Sequence, residues 1–295
     1  MSTLPYLERL TTDEAILTIF DKYQNDPSIV NTIELPTIQH IHDILRGKHL
    51  IDGSVKQLRT DCATRLDTLS KLERREVSAR NDLDKLRMSL GRLYDLVTDA
   101  VKRIDGRKHD INVELRAVGR VVGLAVNDLP VVQTQMFTVD AIRNIIAANS
   151  TIHYNAKICD EHFWSLYTYG GPKIVELAMK NKRNLNFAKF LQAVYGYNQT
   201  AKTTKDENYR LAEYHKTHDL ITPQVSYSAV GVSPLVYCPK QLESKVMMMW
   251  RFMHEEHGLD YIRSPHKPFD HCLTFDQAVE LYPDLEPARK ILRLP

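Results

Sequence analysis

The stretch VKQLRTDCATRLDTLSKLERREVSARNDLDKLRMSLGRLYDLVTDAVKRI, Val55–Ile104, decides the fold class. With Val55 at heptad position a, the a positions read Val55, Cys62, Leu69, Glu76, Leu83, Leu90, Val97 and Ile104. The d positions read Leu58, Arg65, Leu72, Ala79, Leu86, Leu93 and Ala100. Apolar residues recurring every 3.5 positions make a narrow seam, which a helix this long must bury against another helix. No proline lies between Pro36 and Pro130 and no glycine between Gly53 and Gly91, so nothing breaks the helix. At 1.5 Å per residue it spans roughly 75 Å.

Arg65 and Glu76 interrupt the seam in its first half, where polar residues cost stability and fix register or oligomer state. After Leu90 the stripe widens as Tyr94 and Val101 join it, which suits packing into a globular body. The expectation is an arm whose first half reaches another subunit, with Val55, Leu58, Leu69, Leu72, Leu83, Leu86 and Leu90 as oligomerisation residues. The competing expectation is a bundle in which the chain's own helices cover the seam.

Working outward, residues 1–51 form an N-terminal helical segment. Thr12, with Asp13 and Glu14 behind it, caps a first helix, and Pro36 opens a second whose apolar face is Ile38, Ile41, Ile44 and Leu45. Residues 52–110 hold the long helix. Residues 111–222 read as a helical core domain. INVELRAVGRVVGLAV, from Ile111, is aliphatic enough for a buried helix, and VDAIRNIIAAN follows with Thr138 as cap and Asn149 as stop. ICDEHFWSLY, KIVELAMKN, NFAKFLQAVYGY and DENYRLAEYHKTH continue the helical reading. Residues 223–295 are rich in proline and irregular. There QVSYSAVGVSPLVY reads as a strand or short hairpin, and KQLESKVMMMWRFMHEEHG as one strong helix ended by Gly258. The expected class is mainly α: a coiled-coil-like arm on a helical domain.

Composition narrows function. The 295 residues carry a net charge of +2, too near neutrality for the whole molecule to act as a polycation. Cys62, Cys159, Cys238 and Cys272 are scattered and lack CxxC pairs, and no stretch reaches the 18 apolar residues of a membrane span. A cytoplasmic protein, or a virion component, without membrane association is expected.

Local chemistry concentrates between Lys173 and Lys216, where nine basic residues meet four acidic ones, a net of +5, among aromatic residues. Phosphate contacts with lysine and arginine and base stacking on aromatic rings would hold a single strand, RNA ahead of DNA because no duplex-binding motif occurs. The candidate contacts are Lys173, Lys180, Lys182, Arg183, Lys189, Tyr195, Tyr197, Lys202, Lys205, Tyr209 and Arg210. Against this, Phe187, Phe190, Val194 and Tyr197 follow helical spacing, as core residues do.

Other constellations are weaker. His254 and His257, with His266, His271 and Cys272, match no zinc signature and read as histidines on an exposed helix edge and in loops, so no metal or other cofactor is assigned. Cys159 beside His162 lacks an orienting third group and an oxyanion pocket, so no catalytic residues are assigned. GGPK at Gly170–Lys173 lacks phosphate-loop spacing and reads as a turn. The methionines around Trp250 fill a core or dock a partner.

The expectation that joins the two strongest features is a non-enzymatic, self-assembling protein that binds single-stranded RNA, a nucleocapsid-like or capsid-associated subunit. This is an analogy of architecture that rests on no shared motif. The alternatives are a scaffold whose long helix recruits a protein partner, and a metal-dependent enzyme using the C-terminal histidines.

Overall fold

The computed structural model describes residues 12–46, 53–105, 111–181, 185–218, 222–232, 234–239, 243–261 and 272–294. The chain divides into two compact units, Met1–Ser78 and Ala79–Pro295. The protein is mainly helical, and the long helix is continuous from Gly53 to Asp105.

In the first unit, α1 (Thr12–Asn25), a 3-10 turn (Pro27–Thr32) and α2 (Leu35–Arg46) surround the start of the long helix, α3 (Gly53–Asp105). Asp26 caps the 3-10 turn by accepting from the Ser28 N–H, and Pro27 occupies the position where a missing N–H costs nothing. Ile19, Tyr23, Ile38, Ile41 and Leu45 form a core with Leu58 and Cys62 of α3, and Val55, Leu66 and Leu69 pack against its edge. The Tyr23 hydroxyl donates to the Asp61 carboxylate, and burial together with that bond pushes Tyr23 up to about 12. The first half of the seam, expected to await another subunit, is therefore covered at Leu58 and Cys62 by α1 and α2. Burying these side chains within the chain removes the apolar surface an intermolecular pair would need. Leu72 remains half-buried.

In the second unit, Leu83, Leu86, Leu90 and Val97 of α3 are also buried, which again takes predicted oligomerisation residues into the chain's own core. Tyr94 donates to the Leu185 carbonyl at 3.0 Å and meets Phe187 and Phe190 edge-on. The rooting expected from the widened stripe is observed. The Arg80 guanidinium lies 4.2 Å from the Phe252 ring centre on α11 (Lys245–Glu256), Asp82 pairs with Lys245, and Arg87 pairs with Glu256. The methionines of α11 are core: Met248, Trp250 and Met253 are fully buried, and the Trp250 indole donates to the Pro130 carbonyl at 3.0 Å.

A five-stranded sheet organises the remainder, in the order β2 (Ile158–His162), β3 (Gln199–Thr204), β1 (Val132–Thr138), β4 (Leu235–Tyr237) and β5 (Cys272–Thr274). β1 runs parallel to β3 and antiparallel to β4, β2 is antiparallel to β3, and β4 is parallel to β5. A bulge with Gln135 at φ +62° shifts the β1–β3 register. Two expectations fail here. ICDEH, read as helix, is edge strand β2, whose pairing with β3 satisfies its backbone. QVSYSAVGVSPLVY is no hairpin: its first half is α10 (Pro223–Ala229), started by a proline, and only Leu235–Tyr237 is strand.

Helices flank the sheet. α5 (Val139–Ala148) has the expected termini, with Thr138 Oγ1 accepting from the Ala141 N–H and Asn149 in the left-handed region at φ 46°. α4 (Ile111–Asn127) is amphipathic and not wholly buried: Val122 and Val126 face inward, while Val113, Val121 and Leu124 are more than half exposed. Its inner face crosses a π-helical turn (Leu166–Gly170) and α7 (Gly171–Lys180) at backbone contact. A β-carbon at Gly123 would lie 2.1 Å from the Leu166 carbonyl oxygen, and one at Gly171 only 2.0 Å from the Gly119 oxygen. Gly170–Gly171 is therefore a close-packing device at a helix start, not the simple turn expected.

Candidate functional site

The predicted basic and aromatic residues do not form one groove. Tyr195, on α8 (Phe187–Tyr197), is buried edge-on against Trp250 and His254, and desolvation raises it to about 12. Lys202 on β3 is buried too: its ammonium pairs with Asp160 on β2 and donates to His153 Nε2 at 2.7 Å. Both are corrections to the interface reading, because helical and strand periodicity turns these side chains into the fold. Tyr197 is half-buried against Trp164, which stacks on Tyr169 with ring centres 4.7 Å apart. Lys173 sits 5.7 Å from the Tyr169 ring centre, and Lys173 and Lys180 both bond Glu176, at 2.8 and 2.6 Å. Lys182 and Arg183 lie outside the described residues. Lys189 is exposed in the first turn of α8.

The rest of the set falls on α9 (Lys205–Thr217), which begins with a capping box: Thr204 Oγ1 accepts from the Glu207 N–H, and Glu207 accepts from the Thr204 N–H at 2.7 Å. Glu207 also accepts from the Thr138 hydroxyl at 2.7 Å, which ties α9 to the sheet. Lys205 and Tyr209 are exposed on this helix, whereas Arg210 donates to the Val230 carbonyl at 2.7 Å.

Beside α9 lies a cleft of about 560 Å³, bounded by Arg120, Gly123 and Asn127 of α4, Glu161 and His162 of β2, Ser165 to Thr168 of the π turn, and Asn208, Ala212, His215 and Lys216 of α9. Gly119 and Gly123 let α7 and the π turn meet α4 at backbone contact, which sets one side of the cleft. The spacing 208, 212, 215 places one face of α9 along the opposite wall.

Its electrostatics are unusual. Burial pushes the Glu161 carboxyl up to about 8, and no hydrogen bond or ion pair to another described side chain offsets that cost. Burial holds His162 and His215 below their ordinary range. Asn198 donates its amide to the Pro130 carbonyl at 2.9 Å, so its Oδ1 faces His162; Nε2 of that ring is the donor at 3.0 Å and Nδ1 the acceptor nitrogen. At neutral pH the cleft therefore presents a neutral acid and two neutral imidazoles. Cations stand at its mouth: the Arg120 guanidinium lies 5.2 Å from the Tyr167 ring centre, and Lys216 pairs with Glu213. Tyr167 is 46% and Tyr209 66% exposed.

The residues that sequence reasoning missed are Arg120, Glu161, Tyr167, Asn208 and His215. Reading ICDEH as strand would have placed Glu161 and His162 at a strand end before a turn, where ligand clefts gather.

The histidines proposed for a metal are dispersed. His254 is fully buried between Tyr195 and Tyr261, contrary to the exposed edge expected, and His257 packs on Phe187. His266 and His271 lie outside the described residues. Among the described residues no group of three or more histidine, cysteine or acidic side chains is placed to hold a metal. None of the four cysteines forms a disulfide among the described residues, and no helix among the described residues is long and apolar enough to cross a membrane.

Comparison with protein-family models, with curated proteins and with solved structures gives no match, so the reading of the cleft rests on its own chemistry.

Proposed function

We propose that this protein binds single-stranded nucleic acid, RNA ahead of DNA, across the mouth of the α4–α9 cleft. One observation carries the reading: an exposed tyrosine, Tyr167, and two cations, Arg120 and Lys216, border one cleft of nucleotide size, and Tyr209 is exposed on the helix that carries Lys216. Exposed rings offer stacking faces worth about 1–3 kcal/mol per base, and the cations supply phosphate contacts that weaken with salt. Lys205 is exposed at the start of the same helix as Tyr209. The interface is thus displaced from the broad Lys173–Arg210 segment to α4, the π turn and α9.

Fluorescence anisotropy with a labelled single-stranded RNA, over a salt series, tests this. Tyr167→Ala and Tyr209→Ala are each expected to weaken binding about tenfold, and Arg120→Glu to flatten the salt slope. Lys180→Glu and Lys189→Glu, away from the cleft, should change little. Wild-type affinity in the Tyr167, Tyr209 and Arg120 variants refutes the assignment.

Self-association has a separate supporting observation. A groove of about 410 Å³ between α3 and α4 is walled by Leu96, Ala117, Val118 and Val121, with Asp99, Arg103 and Glu114 at its edges. Apolar walls with both charge signs suit a second copy of the same surface. Light scattering is expected to show a dimer that Val121→Glu returns to monomer; a monomeric intact chain would refute it.

A further inference from the structure

We propose that the cleft takes one unstacked nucleobase and that the Glu161 carboxyl reads its hydrogen-bonding edge. The inference rests on the nucleic-acid reading above and adds what that reading leaves open, the identity of the base. Three observations point the same way. The cleft lies within the size range of pockets that enclose small ligands, and its mouth carries Tyr167, an exposed ring on which a neighbouring base can stack. Glu161 forms part of its wall and makes no hydrogen bond or ion pair with any other described side chain, whereas the nearby Glu207 accepts two bonds and Asp160 is paired with Lys202. The Glu161 oxygens are not among the buried polar atoms left without a partner, so they reach water, which a base edge with matching groups can replace.

The chemistry of that carboxyl selects the base. A neutral carboxylic acid presents one donor beside one acceptor. That pattern complements any edge with an acceptor beside a donor: adenine (N1 and the 6-amino group), cytosine (N3 and the 4-amino group), uracil (O4 and N3–H) and guanine (O6 and N1–H). An ionised carboxylate accepts only, and complements guanine, which alone offers two adjacent donors, N1–H and its 2-amino group. With burial holding Glu161 near 8, the carboxyl matches every base at neutral pH and favours guanine above it.

The surrounding groups leave this switch to Glu161. His162 of β2 and His215 of α9 titrate below the neutral range and stay uncharged through the window. Tyr227 of α10 is raised well above its ordinary value by burial and then by Glu161 and Glu207, so it stays protonated. Lys216 is raised by its bond to Glu213 and stays charged, and Arg120 of α4 carries the permanent charge of a guanidinium. Cys159, two residues before Glu161 on β2, accepts from the Asn208 amide at 3.4 Å; a Cys159→Ser background removes its thiol from the measurement.

The test uses the full chain and short oligouridines carrying adenosine, cytidine or guanosine at the centre, with affinities measured near pH 7 and near pH 9. Wild type is expected to bind the three probes alike at the lower pH and to favour the guanosine probe about tenfold at the higher, the scale of one bidentate base contact. Glu161→Gln, near-isosteric and permanently a donor beside an acceptor, should bind the three probes alike at both. Equal affinity of the wild type for the three probes at the higher pH, or a Glu161→Gln protein that still switches with pH, overturns the inference and leaves the binding function standing. No binding to any probe overturns the nucleic-acid reading and this inference with it.

Discussion

Replacing Gly123 with alanine tests whether the α4 crossing is set by backbone contact. The new β-carbon would lie 2.1 Å from the Leu166 carbonyl oxygen and 3.2 Å from the Tyr167 α-carbon. A carbon against an oxygen rests at about 3.3 Å, so α4 must withdraw from the π turn by about 1 Å. The obstacle is main chain, which cannot rotate aside as a side-chain tip can. Overpacking of this kind costs about 1–3 kcal/mol, while alanine returns up to about 1 kcal/mol of helix propensity. Because the separation is far below contact, the upper end applies, and a net loss of about 2 kcal/mol is expected. Thermal unfolding followed by circular dichroism should register this as a fall of about 4–8 °C. Gly91→Ala in α3 and Gly196→Ala in α8 are the controls, since a β-carbon at either meets nothing within 4 Å. Both should be neutral or slightly stabilising. A Gly123→Ala protein as stable as these controls would refute the close-contact argument and, with it, the account of what sets one side of the cleft.

Three further outcomes follow from buried charges. Asp160→Asn leaves the buried Lys202 ammonium without its counter-ion and should cost about 3 kcal/mol in urea unfolding, much of it recovered when Lys202→Met is added; equal single and double variants would refute the pairing. Glu161 releases its proton near 8 when folded but near its ordinary 4.5 when unfolded, so the native state holds one proton more between those values and stability falls as pH rises across them. Glu161→Gln should therefore gain on wild type from acid toward pH 8, and a constant difference would contradict the raised carboxyl. His254 runs the other way: burial lowers it, the unfolded chain takes up the proton first, and stability is lost as pH falls below about 6.5. Replacing His254 with phenylalanine should remove one proton's share of that acid slope.

The long helix was legible because its signal is local and repeated. Val55, Leu58, Cys62 and the leucines to Leu90 establish amphipathicity through spacing alone, and the caps at Thr138 and Asn149 depend on residues within one turn. β2 and β3 were not legible for the opposite reason. β3, QTAKTT, is buried along its whole length, yet all but one of its side chains are polar; Thr200 and Lys202 find partners on Val132 and Asp160, distant in sequence. No hydrophobic alternation marks a strand whose burial is satisfied by hydrogen bonds and an ion pair.

The sequence by itself determined that the protein is mainly helical, where its long helix runs, and that one helical face must be buried. Only the tertiary structure decided what buries it. Periodicity specifies a face but not its partner, and α1, α2 and the helices around α11 cover leucines that an isolated seam would offer to another chain. The same holds for the cleft: Arg120, Glu161, Tyr167 and His215 share no local pattern and come from four elements distant in sequence, two of which, α4 and the π turn, touch at backbone because Gly123 carries no β-carbon.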